Sequence, residues 1–395
     1  MNFKTVAWAK RFDFFFLSVW LMTSLGAALI SLRWFGVDFR GYYAAAQVLM
    51  AGGNPYDYHQ VAAVLLKVTG EMGNNPYYYP PWFAWLFVPL AILPFQIARA
   101  VWMLFNLIIW NISVFQLSKL INWPIGQWKR YSIFTISTLI FAWITFRYEQ
   151  AGILVLSIFI GTILSLQNKK WIEAGIWLAL LMVKPNITFI VVVAICAWLI
   201  RRRQWHSILV MIEISLFLIV ISTIVTPDWF KPFLEPGFGQ GLTVTLDGPE
   251  ISGETRINTT MLDWLAYNGV QPNFQLILYK ASILIALLIF ILVIQHSKSL
   301  LEVISLSLLI SYAITPYALQ YDYPPLVITF FWALSLSKAN PISIQLGVLL
   351  IGFILYASMW NPSIASRYWI IIGLIALVAS ALYFQKNDKN LKTVS

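Results

Sequence analysis

The chain has 395 residues, of which 60% are hydrophobic and 11% charged, and a mean hydropathy of +0.75. Soluble globular chains carry roughly 25% charged residues, so this composition excludes them and describes an integral membrane protein. The net charge of +10 and isoelectric point near 9.5 do not define a nucleic-acid surface. Lysine and arginine come in ones, twos and threes between apolar runs, which is the pattern of membrane topology.

From the N-terminus, Lys4, Lys10 and Arg11 precede an apolar run from Phe14 to about Leu32. That run is longer than the 7–15 residues or so of a signal-peptide core and lacks a small-residue cleavage site, so it reads as an uncleaved first span with the N-terminus inside. Apolar runs predict helices at about 14–34, 95–118, 131–146, 151–167, 171–184, 187–200, 207–226, 275–295, 299–314, 325–337, 342–359 and 367–384. Twelve spans put both termini and sixteen of the 26 Lys and Arg on the cytoplasmic side. That agrees with the positive-inside rule.

Between the first two spans, residues 35–94 form a long outer loop. "VDFRGYYAAAQVLMAGG" predicts a short helix over about 39–51, with Asp38 as a candidate N-cap. "YPPWFAWLFVPLAILP" is apolar but too short to cross: Pro81 to Leu93 spans about 20 Å against a hydrocarbon core of about 30 Å. It reads as an interfacial helix opened by Pro80 and Pro81. Asp57, in "NPYDYHQ", reads as a structural turn residue. A second outer loop, 227–272, is rich in Pro, Gly, acidic and aromatic residues.

"NKKWIEAGIWLALLMVKPNITFIVVVAICAWLIRRRQ" has basic residues at both ends and Lys184, Pro185 and Asn186 at its centre. One helix would put inside-type charge on both faces, so a hairpin is expected, its turn about 13 residues, or roughly 20 Å, above the cytoplasmic interface. A lysine at that depth is costly unless it meets a partner. Lys184 either awaits an anion in an outer-leaflet cavity or snorkels to water. The lone cysteine, Cys196, and the scattered His59, His206 and His296 define no disulfide framework or metal site.

In order, "VDFRGYYAAAQVLMAGGNPYD", "YYYPPWFAWLFVPLAILP", "YEQAGILVLSIFIG", "EAGIWLALLMVKPN" and "TPYALQYDYP" resemble the GT-C glycosyltransferases of family 87, the polyprenyl-phosphate-mannose-dependent α-mannosyltransferases and their bacterial relatives. The resemblance covers about residues 10–330. It implies an all-α, single-domain GT-C bundle acting on the outer face of the plasma membrane. Mannose or another hexose or pentose would move from a polyprenyl-phosphate donor to a lipid or glycan acceptor, with no cofactor or metal. Asp38 matches the family's catalytic position and would serve as acceptor base in one inverting displacement. Lys184 is the first choice for the donor phosphate, with Arg40 and Arg147 as further cations and Tyr317, Gln320 and Asp322 along the site. Glu149-Gln150 stands where members often carry Gly-Gln. A transporter of lipid-linked sugars is the competing class, which an inverted repeat would mark; the sequence shows none.

Overall fold

The computed structural model describes residues 38–70, 77–121, 127–235 and 259–336, the helix Ile370–Ala379 and a few isolated positions. The predicted spans at 14–34 and 342–359 and the C-terminal tail lie outside these residues, apart from scattered positions. All regular structure described is helical. The first-loop helices are α1 Phe39–Met50, α2 Tyr58–Thr69 and α3 Pro81–Ala91. They are followed by α4 Phe95–Ser118, α5 Gln127–Tyr148, α6 Gly152–Gln167, α7 Trp171–Leu180, α8 Pro185–Arg201 and α9 His206–Val225. Then come α10 Phe230–Glu235, α11 Met261–Tyr267, α12 Pro272–His296, α13 Leu300–Ile314 and α14 Leu326–Leu336.

Three of these, α4, α9 and α12, are long and apolar enough to cross a bilayer by length and composition; α6, α7, α8, α13 and α14 are apolar but shorter. The chain is therefore a helical membrane protein. The outward faces of α9 and α12 are mostly apolar, including Leu216, Phe217, Leu284 and Leu288, with Glu213 and Lys280 as exposed exceptions. Such faces suit lipid contact, since hydrocarbon chains are as apolar as leucine.

The first loop is built on rings. Phe39 stacks on Trp102 with centroids 6.4 Å apart and meets Phe87 edge-on at 6.1 Å, so α1, α3 and α4 close one aromatic core. Tyr43 donates to the carbonyl of Leu93 at 2.8 Å and Gln47 to that of Ala91 at 2.6 Å, satisfying carbonyls near the end of α3. Pro81 opens α3, where a missing N–H costs nothing. Asp57 caps α2 by accepting from the amides of His59 at 2.8 Å and Gln60 at 3.4 Å, the structural role expected of it.

The break at Lys184 is real. Ten helical residues of α7 pass into a 3-10 turn, Leu181–Val183, and α8 restarts at Pro185. Ser207, at the start of α9, donates to the carbonyl of Trp171 at the start of α7, 3.0 Å away. The chain therefore leaves and returns to the same end of the bundle, as a hairpin requires and one continuous crossing forbids. The arms find their main partners elsewhere, α7 on α6 and α9, α8 on α13. Gly175 makes the α7–α9 approach possible, because a Cβ there would lie 2.7 Å from the Ser207 carbonyl.

Two ends of the bundle are thus defined. One carries Lys169, Lys170, Arg201, Arg202 and Lys298; Arg202 reaches the Lys298 carbonyl at 3.0 Å. The other gathers Asp38, the 149–152 turn, Lys184 and the segment 315–323. Asn186 donates to the Tyr317 carbonyl at 2.9 Å and Thr145 to the Tyr321 carbonyl at 2.7 Å. Gly152 faces that same Tyr321 oxygen, and a Cβ added there would stand 2.3 Å from it. Gly152→Ala must push the 319–323 segment off α6; an overpacking cost of about 1–3 kcal/mol is expected, read as a lower melting temperature in detergent.

Candidate active site

Five separate pieces of chain converge on one buried charged cluster. α1 brings Asp38 and Arg40, the α5–α6 turn brings Glu149 and Gln150, and the helix break brings Lys184. A 3-10 turn, Gln320–Asp322, brings Asp322, and α4 brings Arg99. Asp38 occupies the N-cap position of α1, but its side chain caps nothing. Instead it turns inward, and its Oδ2 is enclosed with no hydrogen-bond partner. The Asp38 amide is bonded to the Tyr148 carbonyl at 3.3 Å, which fixes the start of α1 against the end of α5.

Gln150 reaches the cluster through the way α5 ends. Glu149 takes the left-handed conformation, φ +58°, and the Gln150 amide bonds back to the Thr145 carbonyl at 3.0 Å. This is the Schellman arrangement, which usually asks for glycine at the position Glu149 occupies. The glutamate is retained in an ion pair: Arg99 Nε meets Glu149 Oε1 at 2.5 Å, both side chains enclosed, and Trp102 donates to the Glu149 carbonyl at 2.8 Å.

Lys184 does not snorkel to water. It is 5% exposed and paired with Asp322 Oδ1. Asp322 Oδ2 accepts from the Leu319 amide at 2.9 Å, which aims the carboxylate at the lysine. The Tyr321 and Tyr79 rings flank the ammonium at 4.9 and 5.6 Å, and Lys184 also donates to Gln150 Oε1 at 3.2 Å. A paired, hydrogen-bonded and ring-flanked lysine is the arrangement under which burial of the charge is tolerated.

With Lys184 on Asp322 and Arg99 on Glu149, the charges left over are those of the opening motif. Arg40 has a buried Nε with no partner and makes no ion pair with a described residue. Burial pushes the Asp38 carboxyl up to about 6, with Asp322 adding to the rise; a hydrogen bond from Gln150 and the charges of Lys184 and Arg40 hold it down.

Of the residues singled out in the sequence, Asp38, Arg40, Lys184 and Asp322 lie together. Tyr317 joins them through its hydroxyl contact with Tyr321, and Gln320 is buried in the adjoining turn. Arg147 holds its guanidinium 5.8 Å over the ring of Tyr148, which meets the Tyr321 ring at 5.9 Å, so it borders the cluster. Sequence reasoning gave no role to Gln150, Tyr42 and Tyr79, which the fold makes central. The only signals for them were "YEQ" directly after a span and the tyrosines of the two aromatic motifs.

These features define a helical membrane protein with an enclosed acid and, among the described residues, an arginine without an ion pair at one end of its bundle. Residues 77–316, more than half of the chain, match glycosyltransferase family 87, and the chain belongs to that family. The matched stretch holds Tyr79, Arg99, Gln150 and Lys184; Asp38 and Asp322 fall on either side of it. No curated protein matches the chain.

Proposed function

We propose that the protein transfers a sugar from a polyprenyl-phosphate donor to a lipid or glycan hydroxyl in one inverting displacement, with Asp38 as base. The observation that carries this reading is Asp38 Oδ2, enclosed, unpartnered and beside Arg40, in a member of a glycosyltransferase family. The acceptor oxygen attacks the anomeric carbon and loses its proton to Asp38 Oδ2. The bond from that carbon to the phosphate oxygen breaks with its electron pair, and polyprenyl phosphate leaves.

The leaving phosphate needs positive charge where it forms. We assign first contact to Arg40, because Lys184 is committed to Asp322 and Gln150. A guanidinium presents a planar fork suited to phosphate oxygens, so Arg40→Lys should be a poor substitute. Lys184 supports the site from one layer behind. Tyr317, Gln320 and Asp322 shape its wall, and Arg147 lies at the rim.

The proposed setting is a GT-C bundle of about twelve spans in the plasma membrane, with termini and basic loops in the cytoplasm and the Asp38 end outward. Its basis is the charge bias of the sequence together with the clustering of Lys169, Lys170 and Arg201–Arg203 opposite Asp38. The sugar is mannose by family resemblance, or another hexose or pentose. The deciding experiment offers purified full-length protein a panel of polyprenyl-phosphate sugars with membrane lipid extract and identifies products by mass spectrometry. A glycosylated acceptor that disappears in Asp38→Asn is the expected result. Translocation of the lipid-linked sugar without transfer would replace this reading with a transporter.

A further inference from the structure

More donors converge on one oxygen of the cluster than that oxygen can serve. Gln150 Oε1 accepts from Tyr42 Oη at 2.6 Å, Tyr79 Oη at 2.7 Å, Lys184 Nζ at 3.2 Å and the Ala151 amide at 3.2 Å. The two phenol oxygens are also 3.0 Å from each other. An amide carbonyl offers two lone pairs, so four donors compete for two acceptor sites. The crowd fixes which end of the Gln150 amide is oxygen, and it leaves hydrogen-bonding capacity to spare. This point lies close to the opening motif: the Tyr42 amide bonds back to the Asp38 carbonyl at 3.3 Å, so Tyr42 follows Asp38 by one turn on the same face of α1.

Tyr79 is the donor best able to turn away. Lys184 Nζ is held by Asp322, the Ala151 amide is fixed in the backbone at the start of α6, and Tyr42 is buried and makes the shortest of the four bonds. Tyr79 is half-buried and comes from the outer loop just before α3. Its ring is held without help from its hydroxyl, stacked on Phe83 at 4.6 Å, while its carbonyl accepts from Tyr56 Oη at 2.6 Å. Rotation about the phenol C–O bond therefore redirects the proton with no heavy atom moving, and Gln150 Oε1 keeps three donors.

We infer that the Tyr79 hydroxyl is a donor to the phosphate of the lipid-linked sugar. This deepens the proposed function and rests on a polyprenyl-phosphate donor. Charge balance explains the use of a neutral group: Lys184 is paired with Asp322 and Arg99 with Glu149, which leaves Arg40 as the cation assigned to the phosphate. A phosphate that leaves has three terminal oxygens, and a guanidinium fork grips two. A phenol serves the third without burying another charge. Lys184 Nζ lies 5.6 Å from the Tyr79 ring, and an ammonium so near favours an anion over a neutral sugar hydroxyl at this phenol.

The test measures binding of a polyprenyl phosphate, and of the matching polyprenol as its neutral control, to purified full-length protein by native mass spectrometry. The parent should prefer the phosphate. Tyr79→Phe keeps the ring and should weaken phosphate binding by about tenfold or more, the worth of a hydrogen bond to a charged acceptor, with polyprenol binding unmoved. Unchanged phosphate affinity overturns the inference, and so does an equal loss for both lipids, which marks a structural role. Should Tyr79→Phe not fold, 3-fluorotyrosine at position 79 keeps the hydroxyl as a stronger donor. Phosphate should then bind more tightly and polyprenol as before; phosphate affinity that does not rise overturns the inference. The two readings fail differently. A parent that binds both lipids alike removes the proposed donor class and the inference with it, whereas a parent and a Tyr79→Phe variant that prefer the phosphate equally remove the inference alone.

Discussion

Asp38→Asn is expected to lower sugar transfer by about 10²–10⁴-fold, the usual worth of a positioned general base. Binding of the donor should be largely kept, since Arg40 is untouched, so the loss belongs to kcat. The variant should fold at least as well as the parent. The native carboxylate is enclosed with one oxygen unpartnered, and the neutral amide removes a desolvated charge. In the parent enzyme, kcat/KM should rise with pH through about 6, because the base is protonated and idle below that point and ionised above it. A flat profile between pH 5 and 7 would remove Asp38 from the proton-accepting step.

The second large effect is on folding. Asp322→Asn leaves Lys184 charged and buried without its counter-ion, and breaking such a pair costs about 3–5 kcal/mol. The expected observation is a much lower thermal midpoint in detergent and poor yield. Lys184→Met with Asp322→Leu removes both charges together and should recover most of that loss, because a buried ion pair is often matched by apolar groups of similar volume. Recovered folding with transfer still impaired would separate the structural from the functional share of the pair. If the single and double variants melt alike, the ion pair is not what holds the 3-10 turn against the helix break.

Local features of this fold were readable in the sequence because each has a local cause. Pro81 marks the start of α3, Asp57 caps α2, and basic residues at both ends of a long apolar stretch demand a chain reversal at Lys184. The resemblance drew attention to Asp38 for the same reason, through a contiguous motif. What escaped was the partner of Lys184. An aspartate in "YDYPP" carries no mark that it will meet a lysine in another helix pair; the meeting depends on α8 packing along α13 and on Asn186 holding the Tyr317 carbonyl, contacts made across long loops. Gln150 was hidden differently. Its meaning lies in which end of its amide is oxygen, and the phenols that decide this sit in a sequence where tyrosine, phenylalanine and tryptophan are everywhere. The N-cap expectation for Asp38 was correct in position and wrong in use: the side chain left its helix for the cluster.

The returning arms of α7 and α8 have a consequence for how the enzyme meets its solvent. Ten helical residues and one 3-10 turn climb about 20 Å at most, against about 30 Å of hydrocarbon, so the reversal that carries Lys184 stops short of the far headgroups. On the proposed reading, chemistry takes place at a set depth and not at the water boundary. The donor's phosphate, which rests at the headgroups, and the acceptor hydroxyl both have to descend to it. Bilayer thickness then becomes a kinetic variable, with thick membranes penalising both substrates.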